Sequence, residues 1–177
     1  MSKDKIMKFR INLWNSFKKI FCYYTGLRSL AEKFVHPWKK FDKLVDIPID
    51  ELASIIRNEK IKLLIVDMDG TLKHHKNGVS QENINWIREM EKHVKVVMIS
   101  NANDYYVEKV VKLIKVDYLN KAKKPSPKGF ITIMNRYLCK SDEVIVIGDS
   151  IKSDYIACKR IGIKRMILLK DLCMIDK

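Results

Sequence analysis

Acidic side chains are in short supply here. The chain has 21 Asp and Glu against 35 Lys and Arg, a net charge of +14 over 177 residues. A surface of that sign attracts polyanions: nucleic acid, anionic lipid headgroups or phosphorylated substrates. Cysteine is sparse as well. Cys22, Cys139, Cys158 and Cys173 form no C-x-x-C pair and have no histidine at zinc-ligand spacing, which excludes a zinc site. Free thiols in a reducing cytosol are the expectation. Long apolar runs are missing too. The longest near the N-terminus, Ile20-Phe21-Cys22-Tyr23-Tyr24, is too short for a signal sequence or a bilayer crossing, so a cytoplasmic chain is expected. There is no internal repeat and no low-complexity tract. With 47% hydrophobic residues, a packed globular fold is expected rather than disorder.

What is there falls into two parts, an arm over residues 1–45 and a domain over 46–177. The arm is strongly basic. Ile6, Phe9, Leu13, Phe17, Ile20, Tyr24 and Leu27 recur at helical spacing, Trp14 and Phe21 widen the stripe, and Lys5, Lys8, Lys18 and Lys19 lie mostly off it. Gly26 suits a C-cap, and His36-Pro37 and Ile47-Pro48 interrupt regular structure. From Ile61 onward, apolar runs alternate with amphipathic stretches. Strands are expected at 61–66, 94–99, 116–119, 144–147 and 165–169. Helices are expected from Gln81 to Lys92, from Asn103 or Asp104 to Ile114, over 128–137 and from Ser153 to Ile161. Nearly continuous Val, Ile and Leu runs suit strands covered on both faces, so the class is α/β with a mostly parallel sheet. Such sheets gather ligands beyond the carboxyl ends of their strands.

Polar residues cluster at those ends. Asp67-Met68-Asp69-Gly70-Thr71 closes the first strand, Ser100-Asn101 the second, and Gly148-Asp149-Ser150 the fourth, with Asp154 beyond. Lys123-Lys124-Pro125-Ser126-Pro127 lies between the third and fourth. Asp67 and Asp69, two apart on an extended segment, can face one pocket. Two carboxylates together repel unless a cation or proton lies between them, and Asp149 adds a third. Oxygen donors of this kind suit Mg²⁺, which also accepts phosphate oxygens. Ser100, the Asn101 amide and Lys124 offer donors to a phosphoryl group, with Lys121 and Lys123 as alternative lysines. Phosphoryl transfer needs positioning and charge neutralisation above all. His74 and His75 follow in a short flap, where solvation is expected rather than metal binding. Tyr105 and Tyr106 open a helix beside Ser100, to edge the pocket or to pack in the core.

These motifs resemble those of the haloacid dehalogenase superfamily of phosphatases. D-x-D-G-T matches Asp67 to Thr71, the Ser after a hydrophobic strand matches Ser100, the lysine matches Lys124, and the acidic pair matches Asp149 and Asp154. The stretches Asp46 to Leu52, Lys124 to Phe130 and Gly148 to Asp154 narrow the resemblance to the YqeG-type branch within subfamily IIIA, which is related to mitochondrial phosphatidylglycerophosphate phosphatases. Two positions depart from that branch: Gly70, where Asn is frequent, and Ser150, where Gln is frequent. The resemblance implies a Rossmann-like three-layer sandwich, with Asp67 as nucleophile and Asp69 as general acid and base. It implies Mg²⁺ held by Asp67, the Asp69 main-chain carbonyl and Asp149, with Asp154 supporting the metal or its waters. Ser100 and Lys124 are implied to hold the phosphoryl oxygens.

The intervals between motifs, Leu72 to Ile99 and Asn101 to Lys124, leave no room for the cap domain that many relatives insert there. An open, capless site suits a large substrate. A basic amphipathic arm can lie on an anionic bilayer, which fits phosphatidylglycerophosphate and a peripheral place at the inner membrane face. The same arm can pack on its own domain or bind RNA or a protein. The alternative function is a basic nucleic-acid- or ribosome-associated binding protein with a vestigial phosphatase site.

Overall fold

The computed structural model describes residues 35–74 and 78–170. The apolar stripe of the basic arm, and His75 of the flap, lie outside the described residues. The unit carrying the site begins at Pro37. Lys39–Phe41 form β1, an edge strand that runs parallel to the last strand of the sheet. A single 3-10 turn at Leu44–Asp46 leads into α1, Ile49–Asn58. The Ile47-Pro48 pair, read as an interruption, is the start of that helix. Pro48 sits at its N-cap, Asp50 and Glu51 fill its first turn, and Leu52, Ala53 and Ile56 are buried.

The remaining elements follow the expected alternation. They are β2 Leu63–Asp67, β3 Lys73–His74, β4 Gly78–Val79, α2 Gln81–Glu91, β5 Lys95–Ile99 and α3 Asp104–Ile114. Then come β6 Asp117–Leu119, α4 Lys128–Arg136, β7 Val144–Gly148, α5 Ile156–Arg160 and β8 Arg165–Leu169. Ser80 starts α2 as expected, its side chain accepting the Asn83 backbone N–H at 3.1 Å. The sheet order is β1-β8-β7-β2-β5-β6, every pair parallel, and β3-β4 form a small separate hairpin.

Alternation along the strands explains the layers. Leu64, Val66, Val96, Met98, Ile145 and Ile147 share one core with Ile56 of α1, Ile87 of α2 and Val107 of α3. Leu63, Ile65, Val97, Ile99, Val144 and Val146 point the other way and are buried as well. Phe130 and Ile133 of α4 are fully buried, and Cys158 of α5 meets Met166 of β8. The sheet is covered on both faces, so the chain is the α/β three-layer sandwich that the sequence predicts. Among the described residues, only the hairpin and α2 lie between β2 and β5, and only α3 and β6 between β5 and Lys124. Neither interval holds a cap. Among the described residues no helix is long and apolar enough to cross a membrane.

One element departs from expectation. The segment after β7 is not the start of an ordinary helix but a π turn, Ile151–Tyr155, ahead of a short α5. The Ser150 carbonyl accepts from both the Asp154 and Tyr155 backbone N–H groups, at 2.9 and 3.2 Å. The wider turn directs Asp154 inward, where it is completely buried.

Candidate active site

Parallel pairing brings the motif ends together. Register sets Asp67 opposite Ile99 and Val66 opposite Ile147. Ser100 and Gly148-Asp149 therefore leave the sheet on either side of Asp67. Lys124 reaches the same point from the β6–α4 connection. Its ammonium is buried, pairs with the Asp67 carboxylate, and lies 2.6 Å from Asp154 Oδ1. The three lysine candidates separate here: Lys121 pairs with Asp104 at 2.5 Å, Lys123 is exposed, and only Lys124 enters the site.

Oxygens of Asp67, Asp149 and Asp154 all lie within 4.8 Å of one another. Burial pushes the Asp67 carboxyl well above its ordinary value. Lys124 pulls it down, and Asp154 and Asp149 push it up again. Burial by itself would lower Lys124, but the Asp67 and Asp154 carboxylates outweigh it and hold the ammonium above its usual value. Both directions follow from one count. Three carboxylates gather where one ammonium pairs with two of them, so acidic groups are crowded together at a largely buried point. A hard divalent cation answers that charge, and an all-oxygen donor set suits it. The residues present therefore fit a metal of the Mg²⁺ type.

The Asp69 carboxylate stands outside this group of three and is partly exposed. The third carboxylate beside Asp67 and Asp149 is that of Asp154, brought in by the π turn. Asp154 is braced in turn: Ser153 Oγ donates to its Oδ2 at 3.2 Å and the Ser150 backbone N–H at 3.3 Å. The spacing of Ser150 and Ser153 is that of an N-cap and its third residue, a signal available in the sequence. Ser100 is fully buried, and its hydroxyl accepts the Ala102 backbone N–H at 2.9 Å.

Asn101 also grips the lysine: its Oδ1 accepts the Lys124 backbone N–H at 2.7 Å, and its Nδ2 donates to the Lys124 carbonyl at 3.0 Å. An amide nitrogen carries two N–H groups, so these bonds position the lysine without using up its donors. Of the two places open to Tyr105 and Tyr106, the core is excluded, because both rings are exposed.

Two glycines let the site's carboxylates approach the backbone closely. A β-carbon on Gly70, whose φ is +85°, would sit 2.1 Å from Asp149 Oδ2. One on Gly148 would sit 2.8 Å from Asp154 Cγ. The sequence showed these as turn residues, but their neighbours were not legible. A cavity of about 220 Å³ opens beside the same loop, lined by Gly70, Thr71, Ser80 and Asn83 among others. None of the three clustered carboxylates lines it, so that cavity is distinct from the cluster.

The chain is 27% identical over 116 residues to "Probable phosphatase YqeG" of Bacillus subtilis, covering 64% of this chain and 67% of that one. Its fold is similar to that of an uncharacterized protein from Listeria monocytogenes, with a TM-score of 0.50 at 16% identity, covering 61% of this chain and 78% of the other. A 3-deoxy-D-manno-octulosonate 8-phosphate phosphatase from Yersinia pestis gives a TM-score of 0.49 at 16% identity, covering 62% and 65%. The family model for haloacid dehalogenase-like hydrolases matches residues 73–162, and the chain belongs to that family.

Proposed function

We propose that the chain is a Mg²⁺-dependent phosphomonoesterase working through an aspartyl-phosphate on Asp67. The observation that carries this reading is the buried Asp67–Lys124–Asp154 arrangement with Asp149 beside it. The similarity to a phosphatase supports it. Asp67, Asp149 and the Asp69 main-chain carbonyl would hold the metal, with Asp154 supporting it. When bound, the ion neutralises charge on the phosphoryl oxygens and on Asp67.

The chain's own residues supply the rest. A carboxylate oxygen of Asp67 attacks phosphorus and forms a new O–P bond as the ester O–P bond breaks. Asp69, partly exposed and unpinned by the buried cluster, protonates the departing alkoxide. It then takes a proton from the water that attacks the aspartyl-phosphate, which releases phosphate and restores Asp67. Lys124, held by Asn101, and Ser100 would bind the phosphoryl oxygens. The missing cap favours a large or lipid-borne ester, and phosphatidylglycerophosphate at a membrane surface is the leading candidate.

The test is phosphate release from a panel that includes that lipid in mixed micelles, sugar phosphates and nucleotides. Mg²⁺ should support turnover and EDTA should abolish it. Asp67→Asn should lower kcat by at least about a thousandfold, the scale of losing a nucleophile. Metal-independent turnover, or a fully active Asp67→Asn chain, would sink the assignment. Salt-sensitive RNA binding that survives this substitution, with no turnover on any ester, would establish a nucleic-acid-binding protein instead.

A further inference from the structure

We propose that the outward face of α3, together with Lys73 of the hairpin, is a docking surface for an anionic phospholipid bilayer. The helix is amphipathic in an unusual way. Val107, Val110 and Ile114 are buried, as a helix packed on a sheet requires. The opposite face does not revert to small polar groups. Tyr105 is 63% exposed, Tyr106 55% and Leu113 49%. Tyr106 and Leu113 are seven residues apart, two helical turns along one face. Lys109 lies between them and Lys112 beside them, both exposed. Exposed aromatic and aliphatic side chains interleaved with lysines make a surface suited to the headgroup layer. Tyrosine places its ring among the acyl ends and its hydroxyl among the headgroups, while lysine reaches outward to phosphate.

The ring contacts choose a bilayer over nucleic acid. Lys109 Nζ lies 4.3 Å from the Tyr105 ring centroid, and Lys73 Nζ lies 5.6 Å from that of Tyr106. The two rings meet edge to face, with centroids 5.4 Å apart at 80°. Each ring thus has an ammonium over one face, and one of the two also has its neighbour's edge against a face. That leaves little open face for a stacking base. Leu113 has no ring to offer. Lys73, Lys109 and Lys112 outnumber Glu108 on this surface, Asp104 is matched by Lys121, and the chain as a whole carries +14, so the sign suits an anionic lipid.

The surface is also tied to the catalytic rim. α3 departs shortly after Ser100-Asn101, and Lys73 follows the D-x-D-G-T loop. Asp104, the first residue of α3, binds Lys121 at 2.5 Å and also Asn120, in the segment that leads into Lys124. A bilayer held against α3 therefore has its phosphate layer beside the open site. The benefit to catalysis rests on the proposed reading of that site. The docking itself does not, and the experiment separates them.

The full chain is sedimented with vesicles of phosphatidylcholine, with and without phosphatidylglycerol. Binding is expected to need the anionic lipid. Replacing Tyr105, Tyr106 and Leu113 together by Ser should weaken it by about tenfold or more. Lys109→Gln with Lys112→Gln should weaken it by about twentyfold and flatten its salt dependence. Asp67→Asn should bind as the native chain does, so absence of turnover leaves the docking result intact. Native binding by both surface variants would overturn the proposal, because residues elsewhere would then carry the contact. So would native vesicle binding in variants that lose affinity for a single-stranded oligonucleotide.

Discussion

Gly70→Ala should separate activity from stability. The added β-carbon would stand 2.1 Å from Asp149 Oδ2. An ordinary contact needs about 3.4 Å or more, so the carboxylate must retreat by about 1.3 Å or the loop must shift. Asp149 is the end of a partly exposed side chain, so moving it costs little folding free energy. The backbone adds about 1–2 kcal/mol, because φ at Gly70 is +85° and a side chain is strained there. Catalysis should suffer more. A misplacement of about 1 Å in a catalytic constellation costs about a hundredfold in rate, equivalent to about 2.7 kcal/mol of barrier. We therefore expect kcat/KM on a soluble phosphate ester to fall about a hundredfold, with half-saturation by Mg²⁺ moving to higher concentration. The urea midpoint should move only modestly. Gly78→Ala is the control. Its φ is +74°, but nothing lies within 4 Å of its added β-carbon, so it isolates the backbone strain. If the two variants lose activity equally, or if Gly70→Ala keeps native Mg²⁺ affinity, the reasoning about Asp149 is refuted.

Two further outcomes follow from the same cluster. Lys124→Met leaves the Asp67, Asp149 and Asp154 carboxylates without their ammonium, and removing one member of a buried charge group costs about 3–5 kcal/mol. Urea unfolding in EDTA at neutral pH should show that loss, and Mg²⁺ should recover part of it. The metal-free native chain should also lose stability as pH rises. Burial holds the Asp67 carboxyl above its unfolded value, so between the two values the folded chain binds the extra proton. The stabilisation is complete below about pH 4 and is lost as pH rises through the folded value. Urea unfolding in EDTA across that range should reveal the decline, and a curve flat in pH in EDTA would contradict it.

The strands were legible because sheet burial on both faces demands unbroken Val, Ile and Leu, and β2, β5, β7 and β8 supply it. β1 was not, since Lys39-Lys40-Phe41 is a short edge strand whose identity comes from its pairing with β8. The motif residues were visible one by one, whereas their division of labour was not. Asn101 reads as a phosphate donor, and its other task, gripping the Lys124 backbone through both ends of its amide, is visible only in the fold. The choice among Lys121, Lys123 and Lys124 shows why. Composition cannot separate three lysines within four residues. The backbone does: Lys121 and Lys123 adopt φ of +49° and +56°, and the chain between them alternates burial, with Ala122 and Lys124 inside and the other two exposed. Left-handed conformations are strained for lysine. Ala122 donates its N–H to the Ser100 carbonyl, and Asn101 grips the backbone of Lys124. Those contacts tie the segment to the end of β5 and put one ammonium, and not its neighbours, against Asp67.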